Sequence, residues 1–335
     1  MAWLARALAT GFRSDAKLVA CVHLRGMLAP PARGPRKLLN EERAKPWLDR
    51  AFGLRPDVVA LSISSPGGSP AATESLVAAI RERADSSRIP VWGFATDVAA
   101  SGGMWLLAGA SDECFALDTS VVGSIGVVAP SFGAVDALAK LGLERRVLKA
   151  GNAKAGADPF SPLGQDEKER IQSILDDLHE TFASAIRKSR GAKIEAATAK
   201  LRRGGEKSSS GGGRAAGADD NKHDEETREK LAALIPDLFS GRIFTGKQAA
   251  ALGIVDGVGG LREVCRRKLL REGGDGDKNK AVQFVECGER PATGSGFFGG
   301  GGGVSSAGIA GIPAVALDRV MDALEERGAY ARFGV

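Results

Sequence analysis

Short apolar segments alternate with longer amphipathic or polar segments along the first half of the chain, and this alternation constrains the fold more than any other feature. Each apolar segment has the length of a buried strand, and several of the intervening segments have helical periodicity. Strands that alternate with helices are typical of an α/β domain with a mostly parallel sheet. We predict strands at 17–24, 57–62, 90–95, 112–117, 121–129, 144–148 and 281–285.

The helical pattern is clearest in the middle of the chain. Apolar residues recur at helical spacing from Gln165 to about Arg190, which predicts a long amphipathic helix. Asn40 is expected to cap a helix that runs to about Phe52, because an asparagine side chain can accept a free N–H of the first turn. Further helices are predicted at 71–84, 134–141 and 260–271.

Composition divides the chain into one folded domain and three less regular parts. We assign 17–290 to the domain, interrupted at 204–224 by an insertion rich in Gly, Ser and charged residues that is expected to be disordered. Residues 291–335 comprise a glycine-rich linker and an amphipathic C-terminal helix. Residues 1–16 form an N-terminal segment, and 1–14 contain arginines but no acid. This pattern suits either a short targeting peptide for an organelle, mitochondrion or plastid, or an ordinary N-terminal helix.

The overall composition argues against several classes of function. Of the 335 residues, 43% are hydrophobic and 26% are charged, and no apolar run reaches the ~20 residues of a transmembrane helix. The formal net charge is +5, but basic and acidic residues are interleaved, and only 5% of residues are aromatic. A nucleic-acid surface needs a basic stripe with stacking aromatics. We therefore expect a soluble protein that binds no nucleic acid and carries no transmembrane anchor.

The four cysteines argue against a metal site and a disulfide framework. Cys21, Cys114, Cys265 and Cys287 lie far apart in the sequence, without the spacing of metal ligands. We expect buried thiols in a reducing compartment, with no metal and no cofactor.

A serine between small residues follows the third predicted strand and opens an apolar, helix-forming run. In this stretch, Ala99-Ala100-Ser101-Gly102-Gly103, Ser101 could be a helix N-cap or the nucleophile of an enzyme. The second role has a physical basis, because the first N–H groups of a helix are free to bind a developing oxyanion. The stretch by itself leaves both interpretations open.

A serine nucleophile needs a base, and the three histidines are poor candidates. His23 lies inside a predicted strand, His179 lies beside the apolar stripe of the long helix, and His223 lies in the insertion. A neutral lysine can replace histidine where burial lowers the pKa of the ammonium group. The chain contains many lysines, so composition does not select one of them.

Four short blocks together resemble peptidase family S49, the group of signal peptide peptidase A and SohB. The blocks are Ser64-Ser65-Pro66-Gly67-Gly68, Asp97-Val98-Ala99-Ala100-Ser101-Gly102-Gly103, Gly123-Ser124-Ile125-Gly126-Val127 and Gly241-Arg242-Ile243-Phe244-Thr245-Gly246. Their order and spacing carry the resemblance, which covers 17–286. It implies a ClpP/crotonase-like spiral of ββα units with a mostly parallel sheet, and a long helix after the loop of a catalytic lysine.

The resemblance implies a catalytic dyad. Ser101 matches the nucleophile of the family, and Lys154, in a loop that fits the family's Gly-x-x-Lys pattern, matches the general base. Lys149 is the nearest rival for the role of base. Ser124 matches a serine that hydrogen-bonds the lysine and orients it.

The resemblance also implies an oxyanion hole and contacts with substrate. The N–H groups of Gly68 and Gly102 are expected to bind the oxyanion, and Gly67 and Met104 are expected to contact the substrate. At two positions the chain departs from the family, which usually has asparagine where Ser64 stands and tyrosine where Met104 stands.

The implied activity is that of a serine endopeptidase that degrades short or unfolded apolar peptides, such as signal-peptide remnants. The resemblance further implies a homo-oligomer in which neighbouring protomers contribute to one site. Two other classes stay open, namely a crotonase-like acyl-CoA enzyme and a catalytically inactive oligomeric scaffold of the same fold. A crotonase-like hydratase would need carboxylates at the site, for which Asp97 and Glu74 are the nearest in sequence.

Overall fold

The structure is a computed structural model that describes residues 16–31, 38–151, 153–154, 156, 158–203, 226–271 and 281–288. The N-terminal segment up to residue 15, the insertion at 204–224 and the C-terminal part from residue 291 lie outside the described residues. The domain boundaries that the sequence suggests for those parts remain predictions.

Eight strands in the described residues form a single sheet. They are β1 (Lys17–Arg25), β2 (Val58–Ser65), β3 (Val91–Ala100), β4 (Glu113–Ala116), β5 (Val121–Gly123), β6 (Ile243–Thr245), β7 (Gly257–Val258) and β8 (Val282–Cys287). The order is β6-β5-β3-β2-β1-β8, and β4 pairs with both β3 and β7. Among these described strands only the β5–β6 pair is antiparallel. The predicted α/β fold with a mostly parallel sheet is confirmed.

The helices follow the predicted pattern closely. They include α1 (Glu41–Gly53), α2 (Pro70–Ser87), α3 (Gly102–Ala110), α4 (Val135–Lys140), α5 (Gln165–Arg203), α6 (Gly246–Ala251) and α7 (Leu261–Arg271). As predicted, Asn40 caps α1, and its side-chain oxygen accepts the Arg43 N–H at 3.0 Å. The predicted long helix is confirmed and continues to Arg203. In the described ranges, no helix combines the length and the apolar character needed to cross a bilayer.

Two predicted strands differ from the structure. The strand predicted at 121–129 ends at Gly123, because Gly123 and Ser124 both have positive φ angles, of 102° and 53°, and the chain turns there. The strand predicted at 144–148 is wrong, since that segment is an exposed loop in which Leu148 is completely exposed. Its apolar residues have the composition of a buried strand but cover no part of the core.

The pairing of β2 with β3 changes register shortly before both strands end. Ile63 pairs with Ala95, but Ser65 pairs with Ala99, so β3 holds two more residues than β2 over this interval. Thr96 Oγ1 donates to the Ile63 carbonyl at 3.2 Å and ties the extra residues to β2. This bulge brings the residue that follows β3 to the level of the turn that follows β2.

Apolar side chains cover both faces of the sheet. A larger cluster joins one face to residues of α1, α2, α3 and α5. A smaller cluster joins the other face to Val264 and Leu269 of α7, and in it the Phe94 and Phe115 rings stack with centroids 5.2 Å apart. The sheet is therefore a buried middle layer, as parallel sheets usually are.

The four cysteines are free and buried. Burial raises the pKa of the Cys265 thiol to about 12 and, despite the opposing effect of Arg190, also raises the pKa of Cys114 to about 12. These two thiols stay protonated at neutral pH, and a protonated thiol is a poor nucleophile.

A network of charged groups fastens α5 to the rest of the fold. Arg190 is 1% exposed and donates to Asp256 Oδ2 at 2.7 Å and to the Gly253 carbonyl at 3.3 Å. Asp256 also accepts from Lys193 and from the Cys114 N–H in β4, the latter at 2.8 Å. Burial acts to raise the pKa of Asp256, but these hydrogen bonds outweigh it and hold the pKa below its ordinary value.

Candidate active site

Ser101 occupies a sharp turn between β3 and α3. Its φ of 51° and ψ of −123° lie in a region that residues other than glycine rarely adopt, at a cost of about 1–3 kcal/mol. Hydrogen bonds fix the turn, because the Ser101 N–H donates to the Gly123 carbonyl at 2.9 Å and the Ser101 carbonyl accepts from Met104 and Trp105. The hydroxyl makes no capping bond to α3. A strained strand-to-helix turn that presents a free hydroxyl is the local geometry of a nucleophilic serine.

A second turn, after β2, contains Gly67 and Gly68. Both glycines have positive φ, of 106° and 141°. The Gly67 carbonyl accepts the Leu28 N–H at 2.8 Å, and the Leu28 carbonyl accepts the Ser69 N–H at 2.7 Å. In a trans peptide the carbonyl and the N–H point in opposite directions. The Gly68 N–H is therefore directed away from Leu28.

The two turns touch each other. A Cβ atom on Gly67 would lie 2.7 Å from Ser101 Cβ and 2.9 Å from the Gly102 nitrogen. Gly102 is the first residue of α3, where an N–H has no acceptor inside the helix. The contact thus brings the amides of Gly68 and Gly102 near Ser101, which is the arrangement that an oxyanion hole requires.

A cavity of about 780 Å³ opens over the two turns. Ser101, Gly67, Gly68, Gly102 and Ser124, all predicted site residues, line it. Most of the remaining wall is apolar. It includes Met27, Trp105, Val127, Leu178, Phe182 and Ile243.

Ser124 reaches this cavity because β5 pairs with β3 directly beside Ser101. Ala100 is in register with Gly123, so the residues that follow both strands emerge side by side. The Ser124 N–H donates to the Arg242 carbonyl at 2.7 Å, and its φ of 53° turns the chain out of the strand. Ser124 is therefore held at the cavity from its backbone, which leaves its hydroxyl free to act on a neighbouring group.

Met104 does not lie where a contact with substrate requires it. Its side chain is completely buried in the larger core cluster, and it does not line the cavity. Successive helical residues point about 100° apart, so the next residue, Trp105, faces the cavity instead. Trp105 stacks on Phe182 of α5 with ring centroids 5.3 Å apart. For Trp105 the sequence offered only the apolar run after Ser101, and such a run does not show which of its side chains faces the cavity.

The expected base lies outside the cavity of its own chain. Lys154 sits in the exposed loop before α5, where its N–H donates to the Gly151 carbonyl at 3.1 Å. Lys149 is also exposed, and neither lysine lines the cavity. Of the two histidines in the described part of the chain, His179 lies 2.8 Å from the Phe239 carbonyl and His23 lies 2.7 Å from Glu286, and neither lines the cavity. Among the described residues of one chain, the cavity beside Ser101 is therefore lined by none of these lysines and histidines.

Many large apolar side chains between β5 and α5 are exposed. We call residues 128–163 the apolar arm. Val128, Phe132 and Leu141 are each more than 70% exposed, and Lys154 lies within the same segment. Its exposed apolar residues are Val128, Phe132, Leu141, Leu143, Val147, Leu148, Phe160 and Leu163. A contiguous exposed apolar surface is typical of an interaction site, and the number of exposed apolar side chains makes the apolar arm a candidate for one.

Comparison with known proteins identifies related chains. Residues 83–205 match the sequence model of Peptidase family S49. The Na(+)/H(+) antiporter NhaA of Brucella abortus is 32% identical over 333 residues, which cover 99% of this chain and 39% of that protein. Capsid assembly protease C of Escherichia phage lambda is 31% identical over 139 residues, 42% of this chain and 31% of that protein.

A plant protease matches a larger share of the chain than the phage protease does. The chloroplastic serine protease SPPA of Arabidopsis thaliana is 25% identical over 234 residues, which cover 70% of this chain and 28% of that protein. The chain thus spans less than half the length of each of these three relatives.

Proposed function

We propose that this chain, whose resemblance to peptidase family S49 is confirmed by the match over residues 83–205, is a serine endopeptidase with Ser101 as its nucleophile. The observation that carries the proposal is the strained Ser101 turn in contact with the Gly67–Gly68 turn. Two of the relatives that share sequence with the chain are named proteases, and one of these is named a serine protease. A serine protease needs a base as well as an oxyanion hole, and Lys154 is the base we assign.

The proposed reaction has two steps. Neutral Lys154 Nζ takes the Ser101 Oγ proton, Oγ attacks the peptide carbonyl, and the oxyanion binds the Gly68 and Gly102 N–H groups. The protonated lysine then gives its proton to the leaving amine as the C–N bond breaks, which leaves an acyl-enzyme. In the second step Lys154 takes a proton from water, the hydroxide attacks the ester, and Ser101 recovers its proton as the acid product leaves.

The proposed base comes from a neighbouring copy of the chain. Within one chain the Lys154 loop is exposed and apart from the cavity, and it lies in the apolar arm. A second copy that covers the apolar arm would bury these apolar side chains and could bring Lys154 of one protomer to Ser101 of the next. We therefore propose a homo-oligomer with shared sites. Ser124, which its backbone holds at the cavity, would then orient the incoming lysine through its hydroxyl.

The proposed substrates are short or unfolded apolar peptides, such as signal-peptide remnants. Trp105, Phe182 and Leu178 supply apolar wall for substrate side chains, and Trp105 takes the contact that Met104 does not make. We propose that such a peptide binds in an extended conformation, by strand addition.

The crotonase-like alternative is less well supported. No Asp or Glu is found among the described residues that line the cavity, so neither Asp97 nor Glu74 reaches it. A hydratase would need such a carboxylate for proton transfer. The inactive scaffold differs from the peptidase in the reactivity of Ser101, which an experiment can measure directly.

Labelling with a fluorophosphonate tests the proposal. The wild-type protein is expected to be labelled at Ser101 and to hydrolyse an apolar peptide, and Ser101→Ala to lose both properties. Ser120→Ala is the matched control, because Ser120 is a buried serine that donates to the Ala95 carbonyl away from the cavity lining. A wild-type oligomer that takes no label, or label that persists in Ser101→Ala, would contradict the proposal.

Gly67→Ala is expected to lower kcat/KM about 100-fold or more, because it displaces an oxyanion donor or the nucleophile. The added Cβ would lie 2.7 Å from Ser101 Cβ, and a φ of 106° disfavours alanine. Peptide hydrolysis and thermal unfolding measure the effect. Gly53→Ala, at a glycine with nothing within 4 Å of the added Cβ, is expected to keep full activity. Full activity in Gly67→Ala would show that the two turns do not form one site.

A further inference from the structure

We infer that Ser65 is a positioning residue of the oxyanion hole, a role that rests on the proposed function. Ser65 is the last residue of β2 and is completely buried. Its Oγ accepts the Gly67 N–H at 3.2 Å, and its side chain does not line the cavity. Ser65 therefore acts on the site through the glycine turn and not through contact with substrate.

The hydrogen bond to Ser65 fixes one side of the glycine turn, and Leu28 fixes the other. The Gly67 N–H is held by Ser65 Oγ, while the Gly67 carbonyl is held by the Leu28 N–H. These two bonds restrain the peptide planes before and after the Gly67 Cα. A glycine turn has little conformational preference of its own. The direction of the Gly68 N–H therefore depends on these outside contacts.

Ser65 also touches the other half of the oxyanion hole. A Cβ atom on Gly103 would lie 2.5 Å from the Ser65 carbonyl oxygen and 3.2 Å from Ser65 Cβ. Gly103 is in the first turn of α3, beside Gly102. Ser65 thus contacts both backbone segments that supply the oxyanion amides, and it sets the spacing between them. Among the described residues, its Oγ is the side-chain acceptor that holds the glycine turn.

Ser65→Ala removes the acceptor and leaves the backbone contacts in place. We expect kcat to fall about 10-fold with KM little changed, because the oxyanion forms only after substrate has bound. A peptide aldehyde, whose adduct places an oxyanion in the hole, is expected to inhibit about 10-fold more weakly. An uncleaved peptide amide of the same sequence is expected to bind as before. The measurements use the full chain in its native oligomer.

Ser62→Ala is the matched control. Ser62 is a buried serine of the same strand, three residues before Ser65, and it does not line the cavity. Its substitution tests the general cost of removing a buried hydroxyl from β2, so kcat and aldehyde inhibition are expected to stay at wild-type values. Where Ser65→Ala does not fold, Ser65→Cys, with nearly the same shape and a weaker acceptor, is expected to show the same loss of kcat.

Two outcomes separate this inference from the proposed function. If wild-type Ser101 is labelled but Ser65→Ala keeps the kcat of Ser62→Ala, or loses activity only through KM, the positioning role is wrong and the peptidase proposal stands. If wild-type Ser101 takes no label, the proposed function fails and the inference fails with it.

Discussion

Lys154→Met is expected to lower kcat/KM about 10⁴-fold, because it removes the only base assigned to Ser101 and leaves catalysis to binding and the oxyanion hole. Methionine keeps most of the length of the side chain and removes the amine. Peptide hydrolysis by the purified oligomer measures the loss. Lys149→Met is the matched control, since Lys149 is an exposed lysine five positions earlier. If Lys149→Met lost activity and Lys154→Met kept it, the role of base would pass to Lys149.

Mixing two inactive variants tests whether the dyad is shared between chains. In a ring built at random from equal amounts of Ser101→Ala and Lys154→Met, about a quarter of the sites combine an intact serine with an intact lysine from the next protomer. Subunit exchange is therefore expected to restore about a quarter of the wild-type activity under this closed-ring arrangement. A dyad within one chain would restore none, because each protomer carries one of the two substitutions. Sedimentation of an active monomer would also contradict the shared site.

Arg190→Leu is expected to lower the free energy of unfolding by about 3 kcal/mol, because it breaks a buried ion pair and leaves Asp256 poorly compensated. Arg190 is 1% exposed, and its partner Asp256 is 14% exposed. Urea denaturation measures the change. Arg267→Leu removes a surface pair with Glu263, in which both side chains are at least 40% exposed, and is expected to cost less than about 0.5 kcal/mol. Equal losses of unfolding free energy in Arg190→Leu and Arg267→Leu would show that the buried ion pair stabilises the fold no more than the surface pair does.

The same network predicts how stability changes with pH. The pKa of Asp256 is lowered in the folded protein, so its unfolded state binds protons more readily than the folded state does. The stabilisation is fully present above the ordinary aspartate pKa of about 3.9 and is lost as the pH falls through the lower, folded value. In urea denaturation at several pH values, the difference between wild type and Asp256→Asn is expected to shrink below about pH 4. A difference that grows in acid would contradict this sign.

The sequence predicted the elements that bury apolar residues better than the segments that expose them. The strands around Ser101 were predicted from short apolar runs, and the helix that begins at Gln165 was predicted from apolar residues at helical spacing. The loop at 144–148 was mistaken for a strand, because exposed apolar residues in the arm have the same composition as buried ones. A single sequence does not show which of its apolar segments remain exposed on the folded chain.

At the candidate site, local sequence patterns predicted the two turns but not the contact between them. The blocks around Gly67 and Ser101 predicted two turns, and the structure brings them into contact. The contact itself depends on strand register, which no local pattern specifies. Ser65 was part of a recognised block, but its hydrogen bond to the Gly67 N–H becomes visible only in the folded turn. The contact of Met104 with substrate was implied by the resemblance alone, and in the structure Met104 is buried in the core while Trp105 lines the cavity.

The bulge in β3 places Ser101, the residue after the strand, level with the Gly67 turn that follows β2. Over the interval where β2 advances from Ile63 to Ser65, β3 advances from Ala95 to Ala99. If β3 kept the same residues without the bulge, Ser101 would lie about 7 Å farther along the strand and past the Gly67 turn, since each residue rises about 3.3 Å. Because the offset is an even number of residues, the side chains of β3 keep their faces on both sides of the bulge, and Ala95 and Ala99 both join the larger core cluster. A two-residue deletion within the bulge would restore regular pairing and leave Ser101 level with the Gly67 turn, so the chain can change in length at this point without moving the proposed nucleophile.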